Sequence, residues 1–365
     1  MVKENRKREV ILPLLIVSLM IYGIVAISSA VLGDPGKEGY PLRQVLWDVI
    51  AVFFMFAVVN FKKRLLRDIA IGIYLVSLVL LAVVLLEGET IGGSKRWLDL
   101  KFASFQPSEL AKLSLIVILP VLLEKPSLKR FILSVILSAV PVALIIAEPD
   151  LGTSALLVFV WLSVVFSSRL SLRYFLVVIL IVFLAVPIFY FFGLKDYQRK
   201  RIEAFLNPQK YAKSAAYNVL QSIHAIGSGG FLGKGYMKGT ANFLGFVPVD
   251  YSDFIVAVIG EEFGFLGIFI LIILYSSVLL RMGYILSVVD DDYWRMVVVG
   301  VASVFFFHVA ENLLMCSGLA PVTGIPLPFV SYGGSSALVF GIMIGLVMKA
   351  YAISQIGREV EGWIQ

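Results

Sequence analysis

The dominant feature of this sequence is a series of apolar runs, each close to the 20 residues that an α-helix needs to cross a hydrocarbon layer. Reading for such runs predicts about ten transmembrane helices, at 11–32, 44–61, 68–87, 106–123, 131–147, 153–168, 174–192, 253–280, 296–316 and 335–354. Composition agrees: 59% of residues are hydrophobic and only 15% charged, against roughly a quarter charged in soluble domains. The chain therefore reads as one all-α polytopic membrane domain over 1–365, with no separate soluble domain. Its net charge of +6 does not point to nucleic acid, because the basic residues sit in short loops beside the apolar runs. The first run follows Lys3, Arg6, Lys7 and Arg8 and is long enough to span, which reads as an anchor and not a cleaved leader.

Basic residues also orient the helices. Lys62, Lys63, Arg64 and Arg67 follow the second run, and Lys125, Lys129 and Arg130 follow the fourth. Arg169 and Arg173 follow the sixth, Arg281 and Arg295 flank the eighth-to-ninth loop, and Arg358 lies in the tail. All fall on the N-terminal side of an even-numbered bundle, so both termini are expected in the cytoplasm. The long polar stretch 193–252 then faces outside, and 209–226 within it has helical spacing suited to the membrane surface. One cysteine (Cys316) excludes an internal disulfide framework, and two histidines with one cysteine argue against a zinc site.

Charges within or at the edge of a span are functional hypotheses by default. Asp253, in VPVDYSDFIVAVIGEEFG, opens the eighth run; it can be a helix N-cap shared with Ser252 or a general base. Glu261 lies two turns deeper with Glu262 beside it, and at least one of the pair reads as bonded to neighbouring helices. In GGSKRWLDLKFASFQPSELAK, Glu109 and Lys112 are i, i+3 partners. Arg96 with Trp97 reads as a phosphate or headgroup contact, or as an interfacial anchor. Basic Lys95, Arg96 and Lys101 lie on the side that charge disfavours, which suits an anion. AEPDLGTS places Glu148 and Asp150 around Pro149 in a tight turn, and GLAPVTGIPLPFVSYGGSS (318–336) reads as a re-entrant or surface loop lining a site. GSGGFLGKG lacks the glycine spacing and the final Ser/Thr of a nucleotide-binding loop; a backbone nest for an anion is the remaining reading. Gly260, Gly264 and Gly267 form a small-residue stripe suited to close approach of a second helix, or to packing within the chain.

These stretches together resemble the SEDS family (shape, elongation, division and sporulation). They are RWLDLKFASFQPSELAK, EPDLGTS, QSIHAIGSGGFLGKG, SDFIVAVIGEEFG and NLLMCSGLAPVTGIPLPFVSYGGSS, in the family's order over residues 90–340. PVTGIPLPFVSYGGSS is similar to the RodA type. The resemblance implies ten helices with a large extracytoplasmic loop between the seventh and eighth, and a peptidoglycan glycosyltransferase that polymerises lipid II during elongation and rod-shape maintenance. The family's essential aspartate falls on Asp253. Its other site positions fall on Arg96, Trp97, Gln106, Ser108, Glu109, Lys112, Glu148 and Asp150, with Lys101, Gln221 and Ser331 in the matched stretches. It also implies a class B penicillin-binding protein as transpeptidase partner, other elongation-complex membrane proteins, and a place in the bacterial inner membrane with the active site facing outside. The leaving group needs no ATP. A divalent cation, Mg2+ or Mn2+, could help neutralise the pyrophosphate. A lipid II flippase and a membrane scaffold for the transpeptidase are the competing functions.

Overall fold

The computed structural model describes residues 9–32, 34, 36–91, 94–99, 104–188, 193–248 and 250–362. Among these, seven helices are long and apolar enough to cross a membrane. They are α1 (Ile11–Ala30), α2 (Tyr40–Val59), α3 (Lys63–Glu87), α5 (Leu128–Ala147), α11 (Ile255–Val288), α12 (Asp292–Cys316) and α13, which spans Gly334–Gly362. Three further apolar helices are one turn shorter: α4 (Pro107–Leu123), α6 (Leu151–Ser167) and α7 (Leu172–Ile188). Each sequence-predicted run thus meets a helix. The last four residues of the seventh run, 189–192, lie outside the described residues. α12 and α13 are the most enclosed of the long spans, and the others turn most of their surface outward. Large apolar side chains such as Leu14, Phe53, Ile71 and Leu180 are exposed there, as expected where the solvent is lipid.

Several helices extend past their apolar runs, because side-chain chemistry sets their ends. Pro41 starts α2 in its first turn, where a missing N–H costs nothing. Asp291 caps α12, accepting from the Trp294 amide at 3.1 Å. The added turns carry ions that pin one end of the bundle. Lys63 reaches Asp291 at 2.6 Å and Glu124 at 3.4 Å, and Arg67 reaches Glu124 at 2.5 Å. Arg169 meets Asp292 at 2.9 Å, and Arg281 meets Glu9 at 2.6 Å.

The opposite end is built from irregular elements. Residues 88–105, between the third and fourth apolar runs, contain a three-stranded antiparallel sheet: β1 (Glu89–Ile91), β2 (Ser94–Asp99) and β3 (Ser104–Phe105), in the order β1-β2-β3. Glu89 pairs with Trp97, and Leu98 with Phe105. The 193–252 stretch holds α8 (Asp196–Leu206), a 3-10 turn (Pro208–Tyr211), α9 (Tyr217–Ser228) and α10 (Thr240–Phe243). The helix expected over 209–226 is confined to α9, which packs on α11 and α12. Its Ser222 donates to the Cys316 carbonyl at 2.9 Å.

α11 is broken at Gly264, whose φ of 62° and ψ of −155° are open only to glycine. The amides freed beyond the break bond to the neighbouring loop: Phe265 N–H to the Gly230 carbonyl at 2.9 Å and Leu266 N–H to the Phe231 carbonyl at 3.1 Å. The glycine stripe is therefore spent inside the chain and not on a partner. A Cβ on Gly260 would strike Ile226 at 2.8 Å, one on Gly264 would strike the Gly233 nitrogen at 2.4 Å, and one on Gly267 would strike Phe263 at 2.4 Å. Gly264→Ala is expected to destabilise the protein by about 1–3 kcal/mol, read as loss of folded fraction on SDS titration in mixed micelles. A wild-type curve would show that the break is not needed.

Candidate active site

Asp253 lies in the turn before α11, at the irregular end of the bundle. It does not cap the helix. α11 starts at Ile255 with Phe254 as its N-cap residue and has no side-chain cap bond. The Asp253 carboxylate instead accepts from Ser252 Oγ at 2.9 Å. Of the two sequence readings, the N-cap is thus overturned, and the carboxylate is left half-buried with acceptor capacity to spare.

The backbone around it is held from two sides. Asn312 Nδ2, on α12, donates to the Asp253 carbonyl and to the Ile325 carbonyl, both at 2.8 Å. Ser331 is buried and donates to the Ser252 carbonyl at 2.6 Å, while its oxygen accepts from the Leu327 amide at 2.9 Å. Tyr332 N–H donates to the Tyr251 carbonyl at 2.9 Å. The 318–333 segment therefore packs its backbone against the Asp253 turn. Gly324, at φ 76°, passes so close that a Cβ there would sit 3.2 Å from an Asp253 carboxylate oxygen.

Charge around the turn is mixed. Burial pushes the Asp253 carboxyl above the usual aspartate range; the Ser252 hydrogen bond and the cationic Arg96 and Arg201 oppose this, and Asp150 adds to it. Arg96, on β2, bonds Asp150 at 3.0 Å. Asp150 caps α6, accepting from the Thr153 amide at 3.0 Å and the Thr153 hydroxyl at 2.9 Å. Arg201, on α8, donates to the Val322 carbonyl at 3.3 Å. Glu311, on α12, is bonded by the Thr323 hydroxyl.

Glu148 is buried beside this pair, with one carboxyl oxygen lacking a hydrogen-bond partner among the described residues. Burial, then the nearby Asp150, lift its pKa to about 8 against the pull of Arg96. A carboxyl raised in the folded state stabilises most below its unfolded pKa of about 4.3, and that contribution fades as pH rises through 8. Glu148→Gln should therefore lose less thermal stability than wild type between pH 5 and pH 8. Equal losses would place Glu148 in a wetter setting.

The remaining predicted site residues divide by exposure. Trp97 is half-buried on β2, Gln106 is half-buried just after β3, and Gln221 is half-buried on α9. Lys101 lies outside the described residues. Ser108, Glu109 and Lys112 are buried in α4. Lys112 Nζ bonds Glu109 at 2.7 Å and His308 Nε2 at 3.0 Å. His308 Nδ1 lies 2.9 Å from the Pro326 carbonyl, so with the ammonium donating to Nε2 the ring proton is assigned to Nδ1. This chain ties α4 through α12 to the loop packed on Asp253. The amides of GSGGFLGKG do not form an open nest, since Lys234 and Gly235 donate to the Glu261 and Glu262 carbonyls, both at 3.0 Å.

Sequence reasoning did not select Arg201, Glu311, Asn312 or His308. Glu311 and His308 carried a usable signal, being titratable residues inside an apolar run. Among the described residues, no three of His, Cys, Asp and Glu converge as a metal would need. These residues thus form no all-protein metal cage, and no step is assigned to a cation.

Residues 9–355 match the family model FTSW_RODA_SPOVE, described as cell cycle protein. The peptidoglycan glycosyltransferase MrdB of Escherichia coli is 36% identical over 342 residues, covering 93% of this chain and 92% of that protein. MrdB of Helicobacter pylori is 35% identical over 356 residues, 95% of this chain and 89% of that one. A chain from a solved peptidoglycan synthase complex, described as coordinating polymerization and crosslinking, matches with a TM-score of 0.82 at 30% identity, covering 95% of this chain and 98% of its own. The crystal structure of the Thermus thermophilus rod shape determining protein RodA matches with a TM-score of 0.70 at 28% identity, covering 94% and 97%.

Proposed function

The chain belongs to the FtsW/RodA/SpoVE family of cell cycle proteins, and from that premise we propose that it is a peptidoglycan glycosyltransferase of the elongation type with Asp253 as general base. The observation that carries this reading is a half-buried carboxylate of raised basicity, on a turn fixed from two sides, within electrostatic reach of two guanidinium groups. Asp253 accepts the proton of the acceptor sugar's hydroxyl. That oxygen forms the new bond to the donor's anomeric carbon as the bond from this carbon to the pyrophosphate oxygen breaks, with inversion. Arg96 and Arg201 are the cations placed to meet the departing pyrophosphate. Glu109, Lys112, His308 and Ser331 act behind them as positioning residues, because their polar atoms are engaged inside the protein.

The bundle has ten spans in this reading, the three shorter helices included. The ion-pinned end, which holds Glu9 and the basic loops, faces the cytoplasm, and the Asp253 end faces outward in the inner membrane. The donor is lipid II. A class B penicillin-binding protein cross-links the product, since the chain matches one from a complex described as coordinating polymerization with crosslinking. The test is purified protein in detergent given lipid II and no other glycosyltransferase. Glycan chains are expected; their absence, with lipid II translocation in vesicles intact, would favour a flippase, and the absence of both would favour a scaffold.

A further inference from the structure

Residues 229–246 follow α9 and run beside the break in α11. Phe231, Leu232, Phe243 and Leu244 in this loop are 59–70% exposed, an unusual set for a segment that the sequence reads as part of an external polar stretch. Three bonds fix its depth. Arg281 and Glu9 join α11 to the start of α1 at the pinned end. Tyr22 donates to the Gly267 carbonyl at 3.0 Å midway, and Ser29 donates to Glu262 at 2.5 Å at the far end. α1 has 20 residues, a length of about 30 Å and so about the thickness of a bilayer's hydrocarbon core. Glu262 therefore sits at the hydrocarbon boundary. Phe265 and Leu266, which bind the carbonyls of Gly230 and Phe231, lie about one turn, roughly 5 Å, inside it.

Two further observations agree. The Phe231 ring stacks on Phe265 at 5.7 Å, and Phe265 stacks on Phe269 at 5.8 Å, so the loop's apolar face continues the outward face of α11. Many of the loop's amides also bond within the protein. Met237 and Gly239 N–H donate to the Glu262 carboxylate at 3.2 and 3.3 Å, and Ala241 N–H donates to the Glu261 carboxylate at 3.0 Å. Lys234 Nζ pairs with Glu261 at 2.6 Å. Irregular backbone in contact with lipid requires such internal partners, whereas a loop in water does not.

We propose that 229–246 is an interfacial element whose Phe231, Leu232, Phe243 and Leu244 insert into the acyl-chain region of the phospholipid leaflet on the Asp253 side. Its backbone is carried there by the Glu261–Glu262 pair. The surface takes lipid and not a protein partner, because its aromatic face is continuous with that of a span. The inference requires only that the bundle crosses a bilayer and does not depend on the role of Asp253.

The test is the full chain in phosphatidylcholine–phosphatidylglycerol nanodiscs, spin-labelled at Leu232→Cys, Phe243→Cys or Leu244→Cys, with Lys213→Cys as the exposed reference. Cys316 is buried, and mock-labelled wild type gives the background. Labels at 232, 243 and 244 are expected to collide with oxygen in preference to a water-soluble nickel chelate, at depths of about 5–10 Å below the phosphates. Nickel access equal to that at position 213 would overturn the proposal. Protection from both reagents would overturn it as well, since it would mean cover by protein. Position 232 lies on a different turn from 243 and 244, so a failure to fold at one turn leaves the other to decide.

Discussion

Asp253→Asn is expected to lower lipid II polymerisation by at least about two orders of magnitude, the usual span of general-base catalysis. The substitution keeps the side chain's shape and its bond from the Ser252 hydroxyl but removes the basic lone pair. Because burial raises the Asp253 pKa, the base form is lost as pH falls through a value above that of a free aspartate, and the rate should fall with it. That acid limb should be missing from the residual activity of the variant. Stability moves the other way: a carboxyl raised in the folded state destabilises it increasingly above its unfolded pKa, so Asn is expected to unfold no earlier than wild type at pH 7. Near-normal glycan synthesis by a folded Asp253→Asn protein would remove Asp253 from this role.

Lys112→Met should have the largest effect on stability, about 3–5 kcal/mol, the cost of leaving one member of a buried ion pair uncompensated. Lys112 and Glu109 are 2–3% exposed, so solvent screens little of the loss. The Glu109→Gln, Lys112→Met double variant removes the stranded charge and should recover much of the stability on SDS titration. Activity should not recover with it, because His308 still lacks the ammonium that holds it toward Pro326 and the loop over Asp253. A double variant that regains both would reduce the triad to a structural role, and a single variant as stable as wild type would contradict the buried pairing.

The helices were legible because lipid makes each span announce itself as an apolar run about 20 residues long. Their ends were less so: the turns that carry Lys63, Arg67 and Asp292 are polar, yet helical because tertiary ion pairs hold them. The sheet at 89–105 was hidden because its strands are short and its alternation is broken by charges. Within the site, Asp253 and the Arg96, Glu148 and Asp150 group stood out as costly charges at span edges. Arg201 and Asn312 did not, because their importance comes from Val322, Ile325 and Asp253, far away in sequence. The break at Gly264 was read as a smooth glycine stripe, since spacing alone cannot tell a close helix contact from a residue at positive φ.

The two ends of the bundle are fastened by different chemistry. At one, Lys63, Arg67, Glu124, Asp291, Arg169, Asp292, Glu9 and Arg281 clasp helices to one another through charge. At the other, Asn312, Ser331 and Tyr332 hold the turn that carries Asp253 through neutral hydrogen bonds to backbone carbonyls, beside the largely buried Arg96–Asp150 pair. Ionic clasps with exposed members weaken as counter-ions are added, whereas neutral bonds respond little. The heel of the bundle is therefore salt-sensitive, while the bonds that hold the Asp253 turn respond little to salt. High ionic strength should speed amide exchange first around Asp291 and Asp292, some 30 Å from Asp253, while the turn that carries Asp253 keeps its shape.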